Sequence, residues 1–235
     1  MDAPHIYCVR VSSTPRLLIA AHGTESSDGS ATTVALVDAV ATAAPDVPVS
    51  LCFLDVVGPS LADALDSIDR PTVVVPLLLS TGYHVQSDIP AVVGDRPDVR
   101  IAAHLGPDPS IISALADRLG SSTAASTVLV GVGSSRPEAR PELESAGRQL
   151  AQRLGRPVVA MTLFEDVRGT LTAQPQPVDV ATYLLAEGEF YSRLCAAADG
   201  VATVAAPLGA HPELVRLVLA RYRAALAENA PRTVR

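Results

Sequence analysis

The chain repeats itself, and the repeat limits what it can fold into. Residues 20–24 (AAHGT) correspond to residues 130–134 (VGVGS), and 53–55 (FLD) to 163–165 (LFE). His22 and Val132, like Asp55 and Glu165, stand 110 positions apart. Further along, 105–109 (LGPDP) correspond to 208–212 (LGAHP) at a spacing of 103, so the later part of the second copy is shorter by about seven residues. Matching order and spacing over three segments make chance a poor explanation. The 235 residues are therefore read as two similar halves, 1–120 and 126–235, each large enough to build its own sheet.

Within each copy, short aliphatic runs alternate with amphipathic stretches, the pattern of a parallel sheet covered by helices. Strands are expected near 17–21, 49–54, 73–79 and 99–103, then near 128–132, 158–163, 178–185 and 201–205. Helices are expected over 30–44, 60–68, 89–93 and 109–119, the last two with Asp88 and Asp108 as candidate caps. A helix over 141–154 would bury Leu143, Ala146, Leu150, Ala151 and Leu154 at helical spacing. The small, polar stretch 120–127 (GSSTAAST) reads as a linker. The expected fold class is α/β: two similar doubly wound parallel-sheet halves facing each other across a cleft.

Composition removes several function classes. Hydrophobic residues make up 48% and aromatic ones 3%, so Ala, Val and Leu carry the core and base-stacking surfaces are scarce. Every one of the 18 cations is Arg, and the net charge is −7. No basic footprint for nucleic acid or anionic lipid is visible, and neither is expected as a partner. Apolar runs such as 73–79 fall far short of the ~20 residues that span a bilayer. The run 17–21 is also too short for a signal peptide, so a cytoplasmic location is expected. Cys8, Cys52 and Cys195 are odd in number and widely spaced, which argues against a disulfide framework, a zinc ribbon or a cysteine-held iron–sulfur cluster.

Parallel sheets bind ligands beyond the carboxyl ends of their strands, where the strand-to-helix loops gather. In this reading His22 ends the first strand, Asp55 the second and His84 the third, while His104 follows the fourth. His22 and His84 both lie close to glycine, in AAHGT and STGYH, where the backbone turns tightly and a ligand can approach. The second copy places Val132 opposite His22 and Phe190 opposite His84, so the pair is not needed to build a half. His104, opposite Pro207, reads equally as a site or a surface residue, and Asp55 equally as a site carboxylate or a helix cap. His5 and His211 read as structural or exposed.

Other chemistries find little support. Residues 131–135 (GVGSS) lack the third glycine of a dinucleotide loop and the lysine of a Walker loop. No G-x-S-x-G elbow is present. Neutral imidazoles with a carboxylate at a cleft edge suit divalent-metal handling and proton acceptance, with open coordination positions.

These residues resemble a known family. The segments 17–29 (LLIAAHGTESSDG), 53–55 (FLD), 73–90 (VVVPLLLSTGYHVQSDIP), 105–109 (LGPDP) and 206–222 (APLGAHPELVRLVLARY) together are similar to the sirohydrochlorin chelatases, the class II tetrapyrrole chelatases, in their long two-half form. The segment ending in GYH and followed by SDIP is the most specific element. The resemblance implies insertion of Fe2+ or Co2+ into sirohydrochlorin with release of two protons, on the route to siroheme or cobalamin. It implies that His22 and His84 hold the metal and accept pyrrole protons, and that Asp55, where many members have Glu, assists them. No cofactor is expected beyond the metal being inserted.

The substrate carries many carboxylates, for which arginines are suitable bidentate donors. Arg136 and Arg140, in the second-half loop that corresponds to the one after His22, are the candidates for those contacts. A duplicated chain can replace a homodimer of single halves, so a monomer is expected. The rival reading is a metal or tetrapyrrole binding and delivery protein of the same fold without turnover.

Overall fold

Continuous aliphatic runs, rather than alternating ones, mark strands covered on both faces, and four such runs form the centres of two sheets. In the computed structural model, which describes residues 14–228, these are β1 (Arg16–Ala21), β3 (Thr72–Leu77), β5 (Ser126–Gly131) and β7 (Val178–Tyr183). Apart from Arg16, every residue in them is buried. They are flanked by β2 (Val49–Phe53) and β4 (Val99–Ile101) in the first sheet, and by β6 (Val158–Thr162) and β8 (Thr203–Val204) in the second. Strand orders are β2-β1-β3-β4 and β6-β5-β7-β8, all parallel, so the two sheets have one topology. Register agrees as well: Leu18 lies between Ser50 and Val74, and its repeat partner Val128 between Val159 and Val180.

The helices are α1 (Ser27–Ala43), α2 (Leu61–Asp66), α3 (Ile89–Val93), α4 (Pro109–Leu119), α5 (Ala139–Leu154), α6 (Val167–Ala173), α7 (Glu189–Ala198) and α8 (Pro212–Ala227). α1 starts three residues earlier than its apolar period suggests, because the Ser26 hydroxyl accepts from the Gly29 N–H and caps it. α6 and α7 have no counterpart among the helices expected from sequence; Asp166 caps the short α6 by accepting from the Gly169 N–H. Asp108 caps α4 as expected, accepting from the Ser110 N–H. The linker is shorter than expected, since Ser126 and Thr127 already belong to β5. The half-buried Arg156 anchors it, donating to Ser122 O and Ala124 O and pairing with Asp179 at 2.9 Å.

The halves exchange their last helices. α4, which ends the first half, packs on β7 and α5 of the second, and α8, which ends the chain, packs on β3, α1 and α4. One apolar cluster therefore runs through both sheets, from Leu17 and Val75 to Leu129, Tyr183 and Leu214. The repeat spacing of 103 recurs in the side chains that secure the exchange. Arg221 of α8 donates to His104 O and Leu105 O, and Arg118 of α4 donates to Leu208 O, the repeat partner of Leu105. Arg221 also pairs with Asp108 at 3.0 Å. No helix among the described residues is long and apolar enough to cross a membrane. His5 and Cys8 lie outside the described residues, as do 1–13 of the first half and 229–235 of the second.

Candidate functional site

From β1 the chain moves to β2 on one side and then returns to β3 on the other. The loops after β1 and β3 therefore diverge and open a crevice at the carboxyl edge of the sheet. His22 follows β1 directly, and His84 opens a π turn, His84–Asp88, that runs into α3. Their ring centroids are 4.9 Å apart with planes inclined by 50°. At that separation both imidazoles can converge on one divalent ion, whose bonds to nitrogen are about 2.1 Å long.

The π turn sets the side chains around His84. Its wide ring, closed by the Ile89 N–H donating to His84 O, brings Asp88 beside the imidazole, with Nδ1 and Oδ2 2.6 Å apart. An ionised carboxylate only accepts, so Nδ1 carries the hydrogen and the Nε2 lone pair is left for a metal or a proton. The expectation that Asp88 caps α3 is thereby corrected: it makes no capping bond, because its carboxylate is turned to His84. The spacing of four residues in HVQSD is the signal that could have revealed this pair.

Burial of the ring and the neighbouring His84 hold His22 below its ordinary pKa, while Asp55 pulls the other way. Asp55 does not line the cavity. It lies beside His22, with its N–H donating to His22 O at 2.9 Å and its Oδ1 accepting from the Val56 N–H. It is not a helix cap, since Ser60 caps α2. Cys52 at the end of β2 is buried, and burial pushes its thiol up to about 12, which removes it as a thiolate ligand at neutral pH.

The crevice continues as a cavity of about 410 Å3 shared by both halves. His22, His84, Tyr83 and Leu77 line one side; Val132, Leu143, Phe190 and Tyr191 line the other. The repeat partners of the two histidines, Val132 and Phe190, thus form an apolar wall of the same cavity. Among the described residues no group of three or more His, Cys, Asp or Glu is gathered as a metal cage. What the histidines offer is a two-ligand, one-sided site.

The two candidate arginines differ. Arg136 stands over the Tyr83 ring, 5.2 Å from its centroid, and donates to Ser87 Oγ at 3.1 Å, which leaves most of its N–H donors uncommitted. Arg140 pairs with Glu144 and Glu165, both at 2.9 Å, in a side pocket formed with Thr162 and Gly133. Burial acts to raise the Glu165 carboxyl, but hydrogen bonds from Thr162 and Arg140 outweigh it and hold the group below its usual range. Among the described residues Asp55 has no arginine partner of this kind, so the carboxylates at matching repeat positions are differently engaged.

His104 does not line the cavity and sits at the junction of the halves, between Glu142 of α5 and Arg221 of α8. Burial holds its pKa below the ordinary value; Glu142, 3.8 Å away, acts in the opposite sense, and Arg221 acts with burial. A histidine whose folded-state pKa is depressed contributes stability that is complete above about pH 6.5 and is lost as pH falls through the folded value. His104→Gln is therefore expected to flatten the fall in Tm between about pH 7 and pH 5. Thermal melts at intervals across that range check this, and an unchanged slope would count against it. His211 caps α8, its Nδ1 accepting from the Glu213 N–H.

The CbiX family model matches residues 16–122, the part of the chain that carries both histidines. Among solved structures, sirohydrochlorin chelatase SirB from Bacillus subtilis subspecies spizizenii, in complex with cobalt, is 19% identical over 92% of this chain and 97% of its own, with a TM-score of 0.77. SirB from Bacillus subtilis with Fe3+ is 21% identical over 92% and 96%, with a TM-score of 0.75. CbiX, described as the terminal enzyme for biosynthesis of siroheme in denitrifying bacteria, is 21% identical over 89% and 99%, with a TM-score of 0.66. No curated protein matches the chain by sequence. These likenesses establish the two-half chelatase fold.

Proposed function

We propose, from the match of residues 16–122 to the CbiX family model, that this chain is a sirohydrochlorin chelatase that inserts Fe2+ or Co2+ into sirohydrochlorin. The observation that carries the reading is the His22–His84 pair, 4.9 Å apart at the switch point of one sheet and facing an apolar wall from the other half. A flat macrocycle needs such a wall on one face and the metal donors on the other.

The reaction exchanges one divalent ion for two pyrrole protons, so the site must release metal and take up protons. Two imidazoles in an open site bind an ion weakly enough to hand it to four ring nitrogens. Each then presents a lone pair to a departing proton. Asp88 holds the Nδ1–H of His84 and so keeps Nε2 aimed at the ring; it also stabilises the imidazolium that forms. For His22, the depressed pKa favours the neutral, metal-binding form, and Asp55 nearby offsets the charge when a proton arrives. Arg136, which contacts Tyr83 and Ser87 beside His84, is the proposed donor to a substrate carboxylate. Arg140 would do so only by loosening its hold on Glu144 and Glu165.

Purified protein with sirohydrochlorin and either Co2+ or Fe2+ tests the reading through the absorbance change of metallation. The expected result is many equivalents of metallated product per protein, and comparison of the two ions reports the preferred metal. Product that stops at one equivalent would assign the chain to binding and delivery instead.

A further inference from the structure

We infer that Glu142, in the half that lacks the histidines, is a positioning residue for His84, acting through Thr81; the inference rests on the chelatase reading for its effect on turnover. Between the end of β3 and the π turn, the chain runs outward along the junction of the halves. The side chains that hold it there come from the second half. Tyr183 donates its hydroxyl to Leu79 O at 3.0 Å. Glu142 in the first turn of α5 accepts from the Thr81 N–H at 2.6 Å through Oε2, and from the Thr81 hydroxyl at 2.5 Å through Oε1. Arg136 reaches Tyr83 and Ser87 on either side of His84.

Of these, Glu142 makes the strongest contact. Both carboxylate oxygens are engaged by one residue, Thr81, which is itself only 8% exposed. Two charge-assisted bonds to one buried residue fix its direction as well as its place. Thr81 is three residues before His84, so a change in its direction is passed along a short stretch of backbone to the imidazole. On the far side of Glu142 lies His104, whose buried Nε2 has no hydrogen-bond partner and stands 3.8 Å from Oε1. The carboxylate thus lies between the loop after β4 and the loop after β3, and it neither lines the cavity nor bonds to His22 or His84. Its effect on the reaction has to travel through the backbone of residues 81–84.

Glu142→Ala is expected to lower kcat for metallation about tenfold with KM for sirohydrochlorin changed less than about threefold, because a small displacement of one metal donor costs rate rather than ring binding. Glu142→Gln, which keeps an acceptor for the Thr81 N–H, is expected to restore most of the rate. The decisive measurement is a cycle with His84→Ala, read both as turnover and as Co2+ affinity by titration without tetrapyrrole. If Glu142 acts through His84, Glu142→Ala weakens Co2+ binding in the wild-type background and adds no further loss to His84→Ala.

An equal loss in both backgrounds, or wild-type kcat and Co2+ affinity in a folded Glu142→Ala protein, overturns the inference. If Glu142→Ala does not fold, Thr81→Val removes only the hydroxyl bond and is read by the same cycle with the same criteria. Failure of the wild type to metallate sirohydrochlorin would sink the chelatase reading alone. The Co2+ titration would still report whether Glu142 and His84 are coupled.

Discussion

His84→Ala is expected to lower the rate of metal insertion by about 10²- to 10⁴-fold, and the His22→Ala, His84→Ala double variant to abolish turnover above the spontaneous rate. The argument is one of donors. His22 and His84 are the two imidazoles that converge on the cleft, and the equivalent positions of the facing half, Val132 and Phe190, supply no lone pair to replace either. In the proposed reaction, losing one would leave the ion a single imidazole and remove one of two proton acceptors. Asp88→Asn is expected to fall between wild type and His84→Ala, at about 10- to 100-fold. An amide can present its NH2 to Nδ1 and so favour the wrong tautomer of His84. The initial rate of the metallation absorbance change, at fixed metal and ring concentrations, measures all of these. Single histidine variants within threefold of wild type would remove both residues from the mechanism.

The second large effect is on stability. Gly23, between His22 and Thr24, has φ +102°, and a Cβ there would lie 2.2 Å from Asp55 O and 3.3 Å from Asp55 C. The obstacle is backbone, which cannot rotate away, and it belongs to the loop that bonds back to His22 O. Gly23→Ala must therefore adopt a disfavoured φ and also displace the loop after β2. The expected loss is about 3 kcal/mol or more, or a fall in Tm of about 6–12 °C for a chain of this size. Gly155, which follows α5, is the control: its φ of +66° and ψ of +22° are left-handed, but nothing lies within 4 Å of a Cβ. Gly155→Ala should cost only the left-handed conformation, roughly 1–2 kcal/mol. Thermal or urea unfolding of both variants compares the two terms directly, and equal losses would show that the contact with Asp55 carries no weight.

Much of the architecture is legible in the chain because its signals are local. The aliphatic runs that became β1, β3, β5 and β7 are continuous because those strands are covered on both faces, and no tertiary information is needed to see that. The repeat spacing then carries one topology onto both sheets. Once the strands are placed, the ends of β1 and β3 bring His22 and His84 to one edge. Helices α6 and α7 escape a local reading through composition, since α6 (VRGTLTA) holds a glycine and two threonines and α7 (EFYSRLCAAA) carries Phe190 and Tyr191 in its first turn, all modest or poor helix formers.

Side-chain direction is another matter. Asp88 had the composition of a cap, and nothing in a single sequence says that a π turn would swing it onto His84. Arg140 had the composition of a free cation, yet folding places Glu144 one turn along its own helix and Glu165 across the loop after β6, and together they hold it. Both outcomes depend on how the backbone turns at one place.

The sequence by itself determined two parallel α/β halves and a histidine pair confined to one of them, because hydrophobic continuity and repeat spacing act along the chain. Only the tertiary structure decided how the halves depend on each other. The exchange of α4 and α8, the shared core from Leu17 to Leu214, and the grip of Glu142 and Arg136 on the His84 segment all join residues far apart in sequence. Such contacts follow from which surfaces meet once two sheets with the same topology pack together, and a pattern read one element at a time holds no record of that meeting.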